Sequence, residues 1–246
     1  MVDMDIATKE RICAALEQYR LVFLGGAGVS VASGIPDFRS PGGLYSRKRE
    51  DGRSYEELLS HEYFMEDPKG FYEFYWANMV APSAKPNKAH LALADYERRH
   101  PDMAILTQNI DGLHQLAGSE RVYEIHGTTY HYHCMNCSRH YELTELRHEG
   151  VPQCPRCGGL IKPDVVLYGE GLPEDAVYGG IEAVERAGVM IVGGTSLRVY
   201  PFAAFPQYFH GSLSVLINRE ATPIDGSFDI VLHEDIGDAL EELLHE

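Results

Sequence analysis

Four consecutive apolar residues, Leu21-Val22-Phe23-Leu24, run directly into Gly25-Gly26-Ala27-Gly28. A run of that length reads as a strand buried on both faces, the kind found in parallel sheets. The small residues after it, with Ser30, Ser33 and Gly34 following, put bare backbone N–H groups at the start of a helix. Such a start carries partial positive charge and suits a pyrophosphate. The spacing is Gly26-x-Gly28 and then Gly34, not the full dinucleotide fingerprint, and no acidic residue stands where one would take a ribose. Tight packing alone is an equal reading of these glycines. The loop that follows, Ile35 to Tyr45, holds Asp37, Phe38 and Arg39 beside the turn. Phe38 could cover a flat ring and Arg39 could meet phosphate oxygens. A solvated loop with Phe38 tucked into the core is the alternative.

Further strands end in polar groups. Met103 to Leu106 leads into Thr107-Gln108-Asn109-Ile110-Asp111, and Arg121 to Ile125 leads into His126-Gly127. Val189 to Val192 leads into Gly193-Gly194-Thr195-Ser196, a second glycine–hydroxyl turn, and Leu213 to Ile217 ends in Asn218. Ligands of open α/β sheets bind outside the carboxyl ends of the strands. Gln108, Asn109, Asp111 and His126 are therefore expected to converge there as a functional cluster.

Helical patterns lie between these strands. An amphipathic helix with Ile6, Ile12 and Leu16 inward is expected in 1–19, and others over Pro68–Met79, Asn87–Arg99, Glu174–Arg186 and Asp235–Leu244. Phe71, Phe74 and Tyr75 read as core residues, and His90 as a satisfied core or capping histidine. Lys162 to Tyr168 and Phe228 to Leu232 read as further strands of the main pattern. The whole predicts an α/β fold, a doubly wound, Rossmann-like parallel sheet. Residues 1–127 and 161–246 are assigned to that domain, with 40–85 adding a small helical lobe.

The inserted stretch, 128–160, carries Cys134-x-x-Cys137 and Cys154-x-x-Cys157. Two such knuckles predict a four-thiolate tetrahedral zinc site; paired disulfides are the lesser reading in a chain read as cytoplasmic. Four thiolates leave no open position, so the zinc is expected to be structural. His131, His133 and His140 are surplus to that set, and Cys13 reads as a small buried hydrophobe.

Composition narrows the partners. The formal net charge of −16 over 246 residues argues against nonspecific nucleic-acid binding and against an anionic membrane surface. A lysine-rich protein segment fits such a surface, as does simple solubility. No run approaches the roughly 18 apolar residues of a membrane span, and no signal sequence opens the chain. A cytoplasmic monomer is expected.

Taken together, Gly26-Ala27-Gly28-x-Ser30, Gly34-Ile35-Pro36-Asp37-Phe38-Arg39, Thr107 to Asp111, His126-Gly127, the cysteine pairs, Gly169-Glu170, Gly194-Thr195-Ser196 and Asn218 resemble the sirtuins, the NAD-dependent protein deacylases. The likeness is to a bacterial-type catalytic core and covers nearly the whole chain. It implies NAD as cosubstrate, with its pyrophosphate near Ala27, Gly28 and Ser196, and with Gly26, Gly194 and Thr195 also among the cofactor-binding residues. Asn218, Asp235 and Val199 would serve the adenosine end. Asp37, Asn109 and Asp111 would hold the nicotinamide end, and Ile110 would present backbone to the carboxamide. Gln108 would approach the ribose, Phe38 would shield the reactive face, and Arg39 belongs to the same loop. The acyl oxygen of an acyl-lysine protein or peptide would attack the ribose carbon, giving an alkylimidate. His126 would act as general base, with nicotinamide, O-acyl-ADP-ribose and free lysine as products. The peptide would pair with Val166, Leu167 and Tyr168 as an added strand.

Desuccinylating members of the family carry Tyr and Arg three apart on the helix lining the acyl pocket; Tyr72 and Tyr75 occupy the matching positions here. That implies a preference for uncharged acyl groups. Gly25, Gly193 and Phe202 depart from residues common in the family. The rival readings are a protein mono-ADP-ribosyltransferase using the same site, a non-enzymatic nucleotide-sensing zinc ribbon, and a dehydrogenase. The broken glycine fingerprint counts against the last.

Overall fold

The computed structural model of the chain describes residues 4–37 and 52–245. In chain order its elements are α1 (Ile6–Gln18), β1 (Leu21–Gly25), α2 (Tyr55–Leu58), α3 (His61–Glu66), α4 (Pro68–Asn78), α5 (Lys88–Arg99), β2 (Ala104–Thr107) and α6 (Leu113–Ala117). There follow β3 (Val122–Glu124), β4 (Gly127–Cys134), β5 (His140–Glu142), β6 (Ile161–Val165), α7 (Glu174–Arg186), β7 (Val189–Gly193), β8 (Leu213–Ile217), β9 (Ile230–Leu232) and α8 (Ile236–Leu244).

Six strands form one sheet in the order β3-β2-β1-β7-β8-β9, every pair parallel. Numbered among themselves they read 3-2-1-4-5-6, the doubly wound dinucleotide-fold order, whose switch point lies between β1 and β7. The expected α/β architecture is therefore present. Strand alternation explains how both faces are covered. Leu21, Phe23, Ile105, Ile191 and Val215 point to a cluster closed by α1, α5 and α8. Val22, Leu24, Leu106, Met190 and Val192 point to the opposite cluster, closed by α7 and Phe202 and Phe205. Continuous apolar runs are what such a two-sided sheet requires.

The helix ends follow local rules. Asp5 caps α1 through Thr8 N–H at 2.9 Å, and Asp235 caps α8 through Gly237 and Asp238 N–H at 2.8 and 3.1 Å. Within α1, Ile12 and Leu16 are buried, but Ile6 is 77% exposed, contrary to its expected inward position. It lies in the first turn, before the helix reaches the core.

The second sheet is small and antiparallel, in the order β5-β4-β6. Here the structure corrects the sequence reading. Residues from Lys162 onward were assigned to the parallel sheet, whereas β6 pairs antiparallel with β4. The cysteine knuckles reverse the chain and bring β6 back beside β4; joining the parallel sheet would need a long crossover. Helices α2 to α4 pack on this sheet through Phe64, Phe71, Tyr72 and Tyr75 against Tyr132, Ile161 and Val165. The helical lobe and the cysteine module thus share one core.

Two buried histidines sit behind the parallel sheet's cleft. His90 Nδ1 accepts the Asn87 N–H in a capping box at the start of α5. His114 on α6 lies 4.7 Å from it, ring centre to ring centre, and neither of its nitrogens has a hydrogen-bond partner. Burial lowers His90 to about 4 and holds His114 well below the ordinary imidazole value. Between pH 6.5 and 4 the unfolded chain therefore binds more protons than the folded one, so stability falls as pH drops through that window. Urea denaturation should show a loss of more than about 1 kcal/mol from pH 7 to pH 5, a loss reduced in His114→Phe.

Candidate functional site

A cleft of about 1480 Å³ opens at the carboxyl ends of the parallel strands, between the large sheet and the small lobe. Its floor is the switch point. There the two glycine turns meet backbone to backbone: Gly26 N–H donates to Gly193 O at 3.3 Å and Gly28 N–H to Gly194 O at 2.8 Å. A Cβ on Gly28 would come within 2.8 Å of the Gly194 backbone, and Gly194 itself has φ +59°. Neither position accepts a side chain. This refines the expectation of bare glycine N–H groups, because those of Gly26 and Gly28 are already spent on the partner turn. Gly26 caps a 3₁₀ helix, Ala27–Ser33, that contains Gly28. Ala27, Thr195 and Ser196 line the cleft beside it.

The polar cluster converges as expected. Asn109 Nδ2 donates to Gly26 O at 3.1 Å and to Ser30 Oγ at 3.0 Å. Ser30 Oγ–H in turn donates to Asp111 Oδ2 at 2.6 Å, while Asp111 Oδ1 accepts the Leu113 N–H. Asp111 is half-buried, and desolvation raises its carboxyl above the ordinary value despite both bonds. Gln108 Nε2 donates to Thr195 Oγ1 at 2.8 Å, tying β2's end to the second glycine turn. Ile110 O accepts both the N–H and the hydroxyl of Thr129, so its carbonyl is committed away from any ligand.

His126 stands at the end of β3. Its Nδ1 lies 3.2 Å from Gln108 O. A carbonyl only accepts, so Nδ1 carries the proton and Nε2 keeps its lone pair. Burial lowers its pKa, the carbonyl bond opposing this in part. The Phe202 ring, itself fully buried, lies 6.4 Å away and supplies some of that burial. Behind it Gly127 has φ +74°, and a Cβ there would fall 1.9 Å from Asp164 O.

Val166, Leu167 and Tyr168 form the cleft's outer edge. Val166 N–H donates to His126 O at 2.9 Å, and Tyr168 N–H to Leu59 O at 2.9 Å. Leu167 N–H donates to Glu170 Oε2 at 2.9 Å. Glu170 also meets His61 Nδ1 at 2.8 Å and the buried Lys162 Nζ at 3.0 Å. These partners pull the Glu170 carboxyl below its usual range against the effect of burial. The role of Lys162 and His61 in holding this edge was missed from sequence; only the nearby Gly169-Glu170 hinted at it.

At the far end, Asn218 and Val199 line the cleft, with Asp37 at its mouth. Asp235 lines it too, but its oxygens serve the α8 cap and an ion pair with Arg219. Phe38 and Arg39 lie outside the described residues. Tyr72 and Tyr75 require a correction. Both are fully buried in the aromatic core of the lobe, with the Tyr72 hydroxyl bonded to Ile161 O. From this region Asn78 and Met79 reach the cleft instead. The departures at Gly25 and Gly193 have physical counterparts: their Cβ positions fall 2.8 Å from Phe23 Cε1 and 2.3 Å from Ile236 Cδ1. Larger neighbours fill the space that side chains would take.

The four cysteine sulfurs lie within 4.8 Å of one another. Cys134–Cys157 and Cys137–Cys154 are 3.5 and 3.7 Å apart, far beyond a disulfide and close to the edge, about 3.8 Å, of a tetrahedron with zinc–sulfur bonds of about 2.3 Å. Tyr141 O–H donates to Cys154 Sγ at 3.0 Å, the chief cause of a thiol pKa lowered to about 6. The donor set fits a structural zinc ion.

The sequence pattern of the Sir2 family matches residues 26–201. The chain belongs to the Sir2 family. The NAD-dependent protein deacetylase of Clostridium acetobutylicum is 46% identical over 230 residues, 93% of this chain and 94% of that one. A solved Sir2 structure with a p53 peptide and NAD+ superposes with a TM-score of 0.82 at 35% identity, covering 98% and 97% of the two chains. Another, bound to a propionylated peptide, gives 0.81 at 35% identity, covering 95% and 96%. Within this Sir2 chain Cys134 and Cys154 are buried in the core shared with α2 to α4. Metal analysis should therefore find zinc in the native chain, and Cys154→Ser should lose it together with the near-ultraviolet signal of the aromatic lobe.

Proposed function

We propose that this chain is an NAD-dependent protein-lysine deacetylase. The observation that carries the reading is His126, held as the neutral Nδ1–H tautomer by the Gln108 carbonyl at the rim of a switch-point cleft. NAD, when bound, supplies the ribosyl carbon that accepts the acyl oxygen, with nicotinamide as the leaving group.

The chain's own groups divide the remaining work. The paired glycine turns let a pyrophosphate approach backbone, with the Ala27, Thr195 and Ser196 region available to bind it. The Asn109–Ser30–Asp111 chain fixes polar groups at the nicotinamide end without bulk water. Because its carbonyl is committed to Thr129, Ile110 can offer only its N–H. Asn218 and Val199 shape the adenosine end; Asp235 acts there by positioning Arg219 and α8. Phe38 and Arg39 are assigned to the cover over the site by the resemblance alone. His126 Nε2 takes a proton from a ribose hydroxyl as general base, and at neutral pH its lowered pKa leaves it ready to do so.

The peptide lies extended along Val166–Tyr168; the N–H groups of these three residues are donated within the chain, so the peptide's own N–H groups bond the segment's carbonyls, giving main-chain affinity and loose sequence preference. Asn78 and Met79 at the cleft are uncharged but Lys85 lines it close by, so the preference for acetyl and other neutral acyl groups over succinyl rests on the resemblance alone. Cys134, Cys137, Cys154 and Cys157 hold a structural zinc that keeps the lobe folded and takes no part in the chemistry. A protein substrate, in preference to nucleic acid or an anionic membrane surface, is supported by the net charge of −16.

Mass spectrometry of an acetyl-lysine peptide with the purified chain tests this. Loss of the acetyl mass only with NAD, appearance of O-acetyl-ADP-ribose, and a fall of at least about 100-fold in His126→Ala are expected. ADP-ribose retained on protein without deacylation would favour the transferase reading. In the same assay kcat/KM for peptide should be flat above neutrality. It should fall on the acid side with a midpoint below 6.5, since protonation of His126 removes the base.

A further inference from the structure

The outer face of the small sheet gathers histidines that the site above does not use. Along β4 the side chains alternate: Tyr132 and Cys134 are buried, while His131 and His133 face outward. On β5, His140 pairs across from His133, and Glu142 across from His131. Paired residues share a face, so three imidazoles stand together there. The adjacent ladder bond, Cys134 N–H to Arg139 O at 2.8 Å, places His133 and His140 at a non-hydrogen-bonded pair, where side chains approach most closely.

Two of these rings are already aimed. His131 Nδ1 lies 3.0 Å from the Glu142 carboxylate and His133 Nδ1 lies 2.5 Å from Asp164 Oδ1. An ionised carboxylate only accepts, so each Nδ1 is the donor and each Nε2 keeps its lone pair. A carboxylate behind an imidazole is the arrangement that orients metal-binding histidines. His140 has no polar side-chain partner among the described residues and is exposed.

We infer that this face is a second metal site, distinct from the four-cysteine cluster, which takes a first-row divalent ion such as Ni²⁺, Cu²⁺ or Zn²⁺ through His131, His133 and His140. Imidazole donors suit those ions and not Mg²⁺ or Ca²⁺. Among the described residues only the four sulfurs converge to within 4.8 Å, so His131 and His140 turn to meet the ion while Asp164 keeps His133 in place. His131, with 55% of its side chain exposed, has the freedom to do so. The histidine site is consequently weaker than the thiolate site and exchanges its ion while zinc stays in place.

Zinc-loaded protein dialysed against low-micromolar Ni²⁺, with both metals counted by mass spectrometry, tests the inference. One nickel per chain beyond the retained zinc is expected. The variant carrying His131→Ala, His133→Ala and His140→Ala should keep its zinc and lose the nickel. Asp164→Asn leaves all three imidazoles and should weaken nickel binding by about tenfold or more. No nickel uptake by the native chain, or equal uptake by the triple variant, overturns the site. Undiminished affinity in Asp164→Asn overturns the carboxylate-aimed geometry.

Discussion

Everything at the cleft depends on two glycine turns that touch without side chains between them. The Gly28 N–H reaches Gly194 O at 2.8 Å only because neither residue has a Cβ to hold the backbones apart. That contact joins β1 to β7 where the strand order reverses, and a reversal is where the helices diverge and leave a crevice. The Gln108 side chain then bonds Thr195 from one flank, and Asn109 bonds Gly26 O and Ser30 from the other. Polar groups from β1, β2 and β7 are thus fixed to one another before any ligand arrives. This preorganisation lowers the cost of binding and of stabilising charge as it develops.

The small lobe serves the same cleft from the opposite side. Its core of stacked aromatic rings is sealed by the cysteine knuckles, and β6 runs out of that core directly into the Val166–Tyr168 edge of the cleft. Lys162, buried beneath, donates to Pro163 O and Val165 O and pairs with Glu170. A buried cation left without its carboxylate would be costly, so the pair locks the edge to the lobe. The cysteine cluster, the aromatic core and the Val166–Tyr168 edge therefore form one mechanical unit, linked to the His126 side of the cleft by Val166 N–H on His126 O.

Much of this was legible in the sequence because it rests on local signals. Apolar runs ending in glycine or polar residues located the strands and their functional ends. The cysteine spacing marked the metal cluster, and Asp235 marked the α8 cap. What stayed hidden depends on pairing partners. Nothing in Ile161–Val165 says whether the strand joins a parallel or an antiparallel neighbour; the knuckle reversal decides it. Tyr72 and Tyr75 looked like pocket residues by position, yet their bulk and the helix phase turn them into the lobe core. The glycine N–H groups looked free for a phosphate, but the facing turn, 166 residues away, consumes them at Gly26 and Gly28.

The most direct measurement is calorimetric titration of NAD into the zinc-loaded chain and into Gly28→Ala, with circular dichroism to establish that the variant is folded. If the backbone contact between the two turns builds the NAD site, the native chain binds NAD and the variant keeps its zinc but loses at least about tenfold in affinity, about 1.4 kcal/mol. NAD binding of equal strength in a folded Gly28→Ala would contradict the account and place the dinucleotide elsewhere.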